Sequence, residues 1–288
     1  MKRELKFTKM VAAGNDFILI DNRSKSAQQA NLKLSLLAKN ICNRKYGVGA
    51  DGLLVLENSG RADFRMRIIN PDGSEPKMCG NGIRCAVFYS AGRSRSKSGG
   101  MLNIETRAGN IHAVVNKGRV RFQITKPQNI KLGQTLKINK RAIKVNFINT
   151  GVPHVVIFTE GLDKIDVVSI GRQVRFHKRF LPEGTNVDFT QVIDENNIKI
   201  RTYERGVEDE TLACGTGTVA AALITGLYLG SRACQTIDVR TQSRELLRVE
   251  FERINGGFKN VWLQGKAEIV YKGIFYQGPK PRPETGGY

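Results

Sequence analysis

Two cysteines in this sequence share one unusual setting, directly before a Gly-x-Gly triplet and a run of apolar residues with helical spacing. Cys79 opens "CGNGIRCAVFY" and Cys214 opens "CGTGTVAAAL". The first N–H groups of a helix lack partners within the helix, and together with the helix dipole they favour an anion. A thiolate is such an anion, so the pattern predicts two cysteines of lowered pKa, beside glycines that let backbone amides approach a bound carboxylate.

Two such thiols facing each other across one cleft could invert a carbon centre. One thiolate would remove a proton from one face of the carbon, while the other thiol returned a proton to the opposite face. This is the chemistry of racemases and epimerases. A Cα–H group is a very weak acid, so the carbanion needs the electrostatic support that two helix N-termini aimed at its carboxylate would provide. The sequence has no motif typical of a pyridoxal-binding lysine, and we therefore expect catalysis without a cofactor.

The sequence also repeats itself in larger blocks. "FTKMVAAGNDFILID" is echoed by "VNFINTGVPHVVIF", "RKYGVGADGLLVLE" by "RFLPEGTNVDFTQV", and the block ending at Cys79 by the block ending at Cys214. The spacing is nearly constant, at 137 residues from Phe17 to His154 and 135 residues from Cys79 to Cys214. Three blocks in the same order predict two similar halves joined near residues 126–133.

The predicted elements agree with this division. Short runs rich in β-branched and aromatic residues, such as "DFILID" and "RVRFQIT", dominate the chain, and helical spacing is confined to residues 32–43, residues 167–179 and the segments after the two cysteines. The pattern predicts an α+β fold. We expect residues 1–126 to form the first half and residues 127–265 the second, with a strand at 266–277 returning to the first half and a tail at 278–288.

Composition narrows the class of protein. A chain of 288 residues with 40% hydrophobic residues can bury a core without disulfides or metals. Its five cysteines are odd in number and lack C-x-x-C pairs, which predicts free thiols in a reducing cytoplasm. No apolar run is long enough to cross a bilayer, so we expect no membrane partner. The net charge of +20 is scattered and accompanies no nucleic-acid motif, which favours a solvated surface over a specific nucleic-acid partner.

The stretch "NPDGSEPKMCGNGIR", residues 70–84, resembles the N-x-D-G-S-x-x-x-x-C-G-N-G-x-R signature of diaminopimelate epimerases at each specified position. The resemblance extends to "AAGNDFILID", "YGVGADGLL", "GVPHVV", "LPEGTNVDF" and "ERGVEDETLACGTG", and leaves out only the tail after Gln277. It implies two pseudo-symmetric domains, each a β-barrel-like sheet around a central helix, with the active site in the cleft between them. It also implies interconversion of LL- and meso-diaminopimelate for lysine and peptidoglycan synthesis, without pyridoxal phosphate or metal.

The resemblance further implies roles for individual residues. Cys79 and Cys214 would be the two acid/base groups, assisted by His154 and Glu204. The reacting carboxylate would be bound by the backbone amides of four residues, Gly80, Asn81, Gly215 and Thr216. The α-ammonium would be held by Glu204 and the backbone near Arg205, and the distal end of the substrate by Asn15, Asn70, Asn186 and Arg205.

The sequence leaves some alternatives open. Val152 stands where many members of the family have Asn in "GNPH", which implies one polar contact fewer at the distal end. A cofactor-free racemase or epimerase for another amino acid, such as the proline racemase group, is the nearest alternative, and a nucleic-acid-binding protein is the alternative from a different class. A homodimer is left open. The other cysteines, Cys42, Cys85 and Cys234, are interpreted as small buried apolar residues.

Overall fold

Strands dominate the fold, and four α-helices lie among them. The computed structural model describes residues 3–24, 33–92, 100–138, 141–229 and 233–277. The elements of the first half are β1 (Arg3–Ala12), β2 (Asn15–Asp21), α1 (Leu34–Ile41), β3 (Gly52–Glu57), β4 (Phe64–Ile69), α2 (Gly80–Ala91), β5 (Leu102–Thr106), β6 (Gly109–Asn116) and β7 (Arg119–Gln123).

From β9 to β16 the second half follows the order of the first half with one additional short strand, β13, and the strands β8 and β17 stand before and after this series. The elements of the second half are β8 (Gln128–Ile138), β9 (Arg141–Asn149), β10 (Pro153–Phe158), α3 (Val167–Arg175), β11 (Asn186–Val192), β12 (Asn197–Glu204), β13 (Asp209–Thr211), α4 (Gly215–Leu229), β14 (Cys234–Arg240), β15 (Leu246–Ile254), β16 (Gly257–Lys266) and β17 (Glu268–Gln277). Two short 3-10 helices flank α3, at Leu162–Lys164 and Lys178–Phe180.

The strands form one hydrogen-bonded sheet whose course is the same in each half. Neighbouring strands run β17-β1-β2-β3-β4-β5-β6-β7 in the first half and β8-β9-β10-β11-β12-β14-β15-β16 in the second. The last strand, β17, follows the second half along the chain but joins the sheet of the first half. β8 follows β7 along the chain but pairs with β9, and β17 follows β16 but pairs with β1.

The structure confirms an α+β fold of two similar halves, but the barrel-like sheet implied by the resemblance is not closed. Within the described ranges, β17 pairs with β1 and β8 pairs with β9, so these two strands end the sheet. The opposite end strands of the halves, β7 and β16, pair with each other. Each half therefore continues into the other instead of closing on itself.

The two central helices, α2 and α4, are buried on nearly all sides. α2 packs on β1, β2, β3, β4, β6, β7 and β17, and α4 packs on β9, β10, β11, β12, β14 and β15. Their sequences suit this position because most of their residues are apolar or small, from Ile83 to Tyr89 and from Val219 to Leu223. Side chains of both helices share one core, which links the halves.

The other two helices cover the outer faces of the sheet. α1 packs on β3 and β4, and α3 packs on β11, β12 and β13. Strands covered on both faces are apolar throughout, as in β2, where four consecutive residues from Phe17 to Ile20 are buried. All four helices lie where the spacing predicts them, although residue 32, the basic run at 93–99 and the tail at 278–288 lie outside the described residues. No described helix has the length and apolarity that crossing a membrane requires.

The close packing of α3 on β12 depends on Gly171 and gives a test of the fold. A Cβ atom at this position would lie 2.4 Å from the Cβ of Tyr203, so Gly171→Ala forces the helix away from the strand that ends at Glu204. We expect the free energy of unfolding to fall by about 1–3 kcal/mol in urea denaturation. The control, Gly60→Ala, adds its methyl group to open space and should not lower stability. Equal losses in both variants would contradict this packing.

Candidate active site

The N-termini of the two central helices meet where the halves join. α2 begins at Gly80 and α4 at Gly215, each directly after its cysteine. A Cβ atom built on Gly215 would lie 3.9 Å from the Cα of Gly80, which is van der Waals contact. The structure therefore places the segments carrying Cys79 and Cys214 side by side, although they are far apart in the sequence.

Cys79 is the N-cap of α2. Its backbone is extended, with φ −144° and ψ 119°, and its Sγ atom accepts a hydrogen bond from the N–H of Gly82 at 3.5 Å. This contact uses one of the helix N–H groups that have no partner within the helix. Burial raises the pKa of the Cys79 thiol and the Glu204 carboxylate raises it further, while the Gly82 N–H acts in the opposite direction.

Cys214 is more enclosed, at 6% exposure. Its Sγ lies 3.4 Å from the hydroxyl of Thr216, and its carbonyl oxygen accepts hydrogen bonds from the N–H and the hydroxyl of Thr218 in the first turn of α4. Burial raises the pKa of the Cys214 thiol well above its ordinary value, and the carboxylates of Glu204 and Asp188 raise it further.

The expectation of lowered thiol pKa values is wrong for this structure. The helix N–H groups do favour a thiolate at both positions, but enclosure between the halves removes water that would otherwise solvate the charge. The effect of burial is larger than that of the N–H groups at Cys79 and at Cys214. Ionisation of either thiol therefore requires additional positive charge, such as a bound ammonium group, or a neighbouring base.

His154 and Asp188 form a buried pair beside Cys214. Their side chains are fully enclosed, with Nδ1 of His154 2.7 Å from Oδ2 of Asp188. Asp188 also accepts a hydrogen bond from the Thr202 hydroxyl at 2.8 Å. The other ring nitrogen, Nε2, lies 2.9 Å from the Thr216 hydroxyl, which in turn contacts the Cys214 sulfur. The imidazole is thus held from both sides and connected to the thiol through one hydroxyl.

Asp188 is a residue that the sequence reasoning missed. It lies in the quoted block "LPEGTNVDF", at a fully buried position of β11, and a buried carboxylate requires a partner. This need for a partner is the signal from which the sequence could have indicated Asp188. The close approach of α4 to Asp188 also requires glycine at residue 217, since a Cβ atom at Gly217 would lie 2.2 Å from the Asp188 carboxylate.

Glu204 ends β12 and lies within the electrostatic reach of both thiols. Burial raises the pKa of its carboxyl group, with the Asp188 carboxylate raising it further and His154 lowering it. Glu204 in turn raises the pKa of Cys79 and of Cys214. One carboxyl group therefore disfavours both thiolates, which makes it suited to hold a proton or a substrate ammonium between them.

Asn15, a predicted distal residue of the first half, is hydrogen-bonded to Asn81, which is predicted to bind the reacting carboxylate. Asn15 donates from Nδ2 to the Asp51 carboxylate at 2.7 Å, and its Oδ1 accepts from Nδ2 of Asn81 at 3.3 Å. Asn81 accepts from Arg84 at 2.9 Å. The carboxylate at one end and the guanidinium at the other fix the orientation of both amides, because the former only accepts and the latter only donates.

Two predicted distal residues, Asn186 and Arg205, are brought together in the second half. The remaining one, Asn70 of the first half, has other contacts. Asn186 donates to the carbonyl of Pro153 at 3.0 Å and accepts from the backbone N–H of Arg205 at 2.8 Å. The Arg205 guanidinium donates to the carbonyl of Glu183 at 3.1 Å. Asn70 bonds within its own turn, to Ser74 at 3.0 Å.

Comparison with known proteins agrees with this architecture. The family model described as diaminopimelate epimerase matches residues 7–130 and again residues 146–269, one match in each half. A diaminopimelate epimerase of Aquifex aeolicus is 39% identical over 277 residues, covering 93% of this chain and 97% of that protein. The diaminopimelate epimerase of Chlorobaculum tepidum is also 39% identical, over 265 residues, covering 92% and 98%. The chain belongs to the diaminopimelate epimerase family.

The fold of this family member is shared more widely. A solved structure described as a probable proline racemase from Agrobacterium radiobacter K84 superposes with a TM-score of 0.71 at 16% identity, covering 98% of this chain and 94% of that one. At this level of identity the likeness concerns the fold alone. It confirms that two similar halves with a helix in each are a scaffold that a diaminopimelate epimerase family chain shares with other proteins.

The remaining cysteines separate into two groups. Cys42 and Cys85 are buried as expected, and burial raises the pKa of Cys42 to about 12. Cys234 is exposed at the start of β14, so its interpretation as a buried apolar residue is wrong. Among the described residues, no group of three His, Cys, Asp or Glu side chains is arranged to hold a metal ion.

A separate cavity lies on the other face of β10. It has a volume of about 330 Å³ and is lined by neither thiol. Its walls include Phe147 and Phe180, whose rings stack at 5.9 Å, together with the charged side chains of Lys131, Arg179 and Glu183. Because Pro153 lines this cavity while its neighbour His154 faces α4, the cavity is distinct from the place where the cysteines meet.

The side-by-side helix starts predict a reversible cross-link. A disulfide requires Cα atoms within roughly 7 Å, and only a small closure is needed where the residues after the cysteines already touch. Diamide treatment of the purified protein should yield a Cys79–Cys214 disulfide that dithiothreitol reverses. Non-reducing peptide mapping identifies the pair, and the exposed Cys234 serves as the internal control. Cross-links confined to Cys234 would contradict the arrangement.

Proposed function

We propose that this chain interconverts LL-2,6-diaminopimelate and meso-2,6-diaminopimelate by a two-base mechanism that needs no cofactor. Membership of the diaminopimelate epimerase family supports the reaction. The observation that carries the mechanism is the meeting of two helices that each begin directly after a cysteine. A substrate carbon held between them has one thiol available on each face.

In the proposed step, one cysteine acts as a thiolate and the other as a thiol. The thiolate takes the Cα proton, the C–H electron pair moves onto the carbon and its carboxylate, and the opposite thiol then gives its proton to the other face. The sulfur that began as a thiolate ends as a thiol, so the two cysteines exchange states. The backbone N–H groups at Gly80, Asn81, Gly215 and Thr216 would stabilise the negative charge that develops on the carboxylate.

The neighbouring groups suit this proton movement. His154 is linked to Cys214 through Thr216, so we assign it to ionisation of that thiol. Glu204 acts on both thiols and would bind the α-ammonium together with the backbone near Arg205. The ammonium would then offset the negative charge of Glu204, which otherwise opposes thiolate formation. Substrate binding would thereby activate the base.

The distal end would be held by Asn15, Asn70, Asn186 and Arg205. The fixed orientation of Asn15 directs its acceptor oxygen toward Asn81, which suits a distal ammonium, and the guanidinium of Arg205 suits a distal carboxylate. Val152 contributes no polar group in this region. An epimerase for another amino acid is the second candidate, supported by the fold shared with a probable proline racemase, and the charged distal contacts favour diaminopimelate over it.

Deuterium exchange tests the reaction directly. In D₂O, purified protein should interconvert LL- and meso-diaminopimelate with solvent deuterium entering Cα, at a rate unchanged by EDTA. Proton NMR of the substrate measures the exchange, with proline as a competing substrate for the second candidate. Activity lost with EDTA and restored by a metal ion would contradict the cofactor-free mechanism.

Cysteine variants are the matched controls for this experiment. Cys79→Ser and Cys214→Ser should each slow exchange by about 100-fold or more while remaining folded, because a hydroxyl ionises far less readily than a thiol. Cys234→Ser changes an exposed cysteine outside the site and should exchange at the full rate. Full activity in either of the first two variants would exclude the two-base assignment.

We also propose that the chain is a cytoplasmic homodimer formed through β17. The free cysteines suit a reducing compartment. Five consecutive residues of β17, from Glu268 to Lys272, are exposed, including Ile269, Val270 and Tyr271, and the strand ends the described sheet. When β17 pairs antiparallel with a second copy about Val270, Glu268 lies opposite the second copy's Lys272. Such an edge is self-complementary in shape and charge.

Sedimentation velocity tests this proposal. The chain has a mass of 32.0 kDa, and we expect the protein to sediment as a particle of twice that mass. Val270→Lys places two like charges opposite each other at the two-fold axis and should give the monomer. The control is Ile193→Lys, at an exposed position outside β17, which should remain dimeric. A monomeric unmodified protein would exclude the proposal.

A further inference from the structure

Arg84 places a positive charge in the interior of the protein. It lies five residues after Cys79 on α2 and is fully buried. Its Nε donates to the carbonyl of Lys266 at 3.2 Å and its Nη2 to the side-chain oxygen of Asn81 at 2.9 Å, both neutral acceptors. Nη1 is enclosed and has no hydrogen-bond partner among the described residues. Burying a guanidinium with only neutral hydrogen-bond acceptors costs free energy, so we expect Arg84 to have a functional role.

The surroundings of Arg84 connect it to both halves of the chain. Glu245, between β14 and β15, is the carboxylate that faces it, but Glu245 also accepts the N–H of Lys266 at 3.0 Å. Gly265 stands between them, since a Cβ atom there would lie 3.1 Å from Nε of Arg84 and 3.2 Å from Oε1 of Glu245. The other ionisable groups close to the guanidinium are the thiols of Cys79 and Cys85.

The pseudo-symmetry shows that the fold itself does not require this cation. The offset that relates Cys79 to Cys214 relates Arg84 to Val219, which is buried at the equivalent position of α4. The opposite difference occurs on the strands. Matching strand registers relate Asp188 to Leu54, and the glycines facing them, Gly217 and Gly82, are equivalent too. Each half therefore has one buried charged side chain that the other half lacks, Arg84 in the first half and Asp188 in the second.

We propose that Arg84 is the electrostatic partner of Cys79, as the His154–Asp188 pair is the partner of Cys214. Its fixed charge stabilises the Cys79 thiolate from behind the helix start, and its bond to Asn81 holds the first turn of α2 in place. It does not touch the substrate, so it acts as a positioning residue. This inference rests on the proposed two-base function, to which it adds the origin of the thiolate in the first half.

Geometry and electrostatics support this assignment. Side chains on a helix point back toward its N-terminus, which directs Arg84 along α2 toward Asn81 and the Cys79 end of the helix. Burial and Glu204 raise the pKa of Cys79, whereas Arg84, with a smaller effect than either, lowers it. At Cys214 the charged neighbours Glu204 and Asp188 both raise the pKa. Although burial lowers the pKa of Arg84 itself, a guanidinium remains charged near neutral pH.

The reactivity of the thiols toward iodoacetamide tests the proposal without any substrate. At a fixed pH below both pKa values, the alkylation rate follows the thiolate fraction, and mass spectrometry of the peptides measures it for each cysteine separately. Arg84→Met removes the charge at similar length. We expect alkylation of Cys79 to slow about tenfold because its pKa rises, with Cys214 unchanged.

Two further variants separate charge from structure. Arg84→Lys keeps the charge and should restore most of the Cys79 rate, and Arg201→Met removes a cation from the second half and should leave both thiols unchanged. In the unmodified protein Cys79 should be alkylated at lower pH than Cys214, which tests the proposal even when Arg84→Met does not fold. Equal slowing of both thiols, no slowing in folded Arg84→Met, or Cys214 reacting first would overturn it. Because no turnover is measured, failure of the proposed function gives a different result.

Discussion

The contact between the starts of α2 and α4 is the constraint on which the rest of the structure depends. A Cβ atom on Gly215 would touch the Cα of Gly80, and the two halves must be held together for that close approach to persist. The pairing of β7 with β16 and the pairing of β17 with β1 supply this connection through backbone hydrogen bonds. The open sheet is therefore part of how the site is assembled.

The site must bind an anion and must form a thiolate, and enclosure favours the first of these and opposes the second. It strengthens every interaction between the helix N–H groups and a bound anion, because water no longer competes. It also raises the pKa of both thiols and of Glu204, so the empty site favours the neutral form of the thiols. A reaction that needs one thiolate thus depends on charges supplied by the protein and by the substrate ammonium, and the site is matched to a substrate that brings its own cation.

Sequence reasoning anticipated what is local or repeated. The helices after Cys79 and Cys214 follow from apolar spacing and glycine placement, and the two similar halves follow from ordered repeats. Features that depend on contacts between distant segments were missed: the Asp188 carboxylate behind His154, the unpartnered nitrogen of Arg84, the open sheet and the exposure of Cys234. The sign of the thiol pKa shifts was wrong because burial cannot be evaluated from a helix start alone.

A pseudo-symmetric scaffold still has to treat its two thiols differently. The proposed reaction leaves one proton on the pair of sulfurs, and burial and the Glu204 carboxylate raise the pKa of both thiols. Which sulfur holds that proton depends on the difference between the halves. The first half has a buried guanidinium, and the second has a buried imidazole–carboxylate pair. Arg84 favours the anion directly, whereas His154 can accept a proton and give it back. On the proposed assignment, this asymmetry makes Cys79 the thiol that ionises more readily and Cys214 the thiol that keeps its proton.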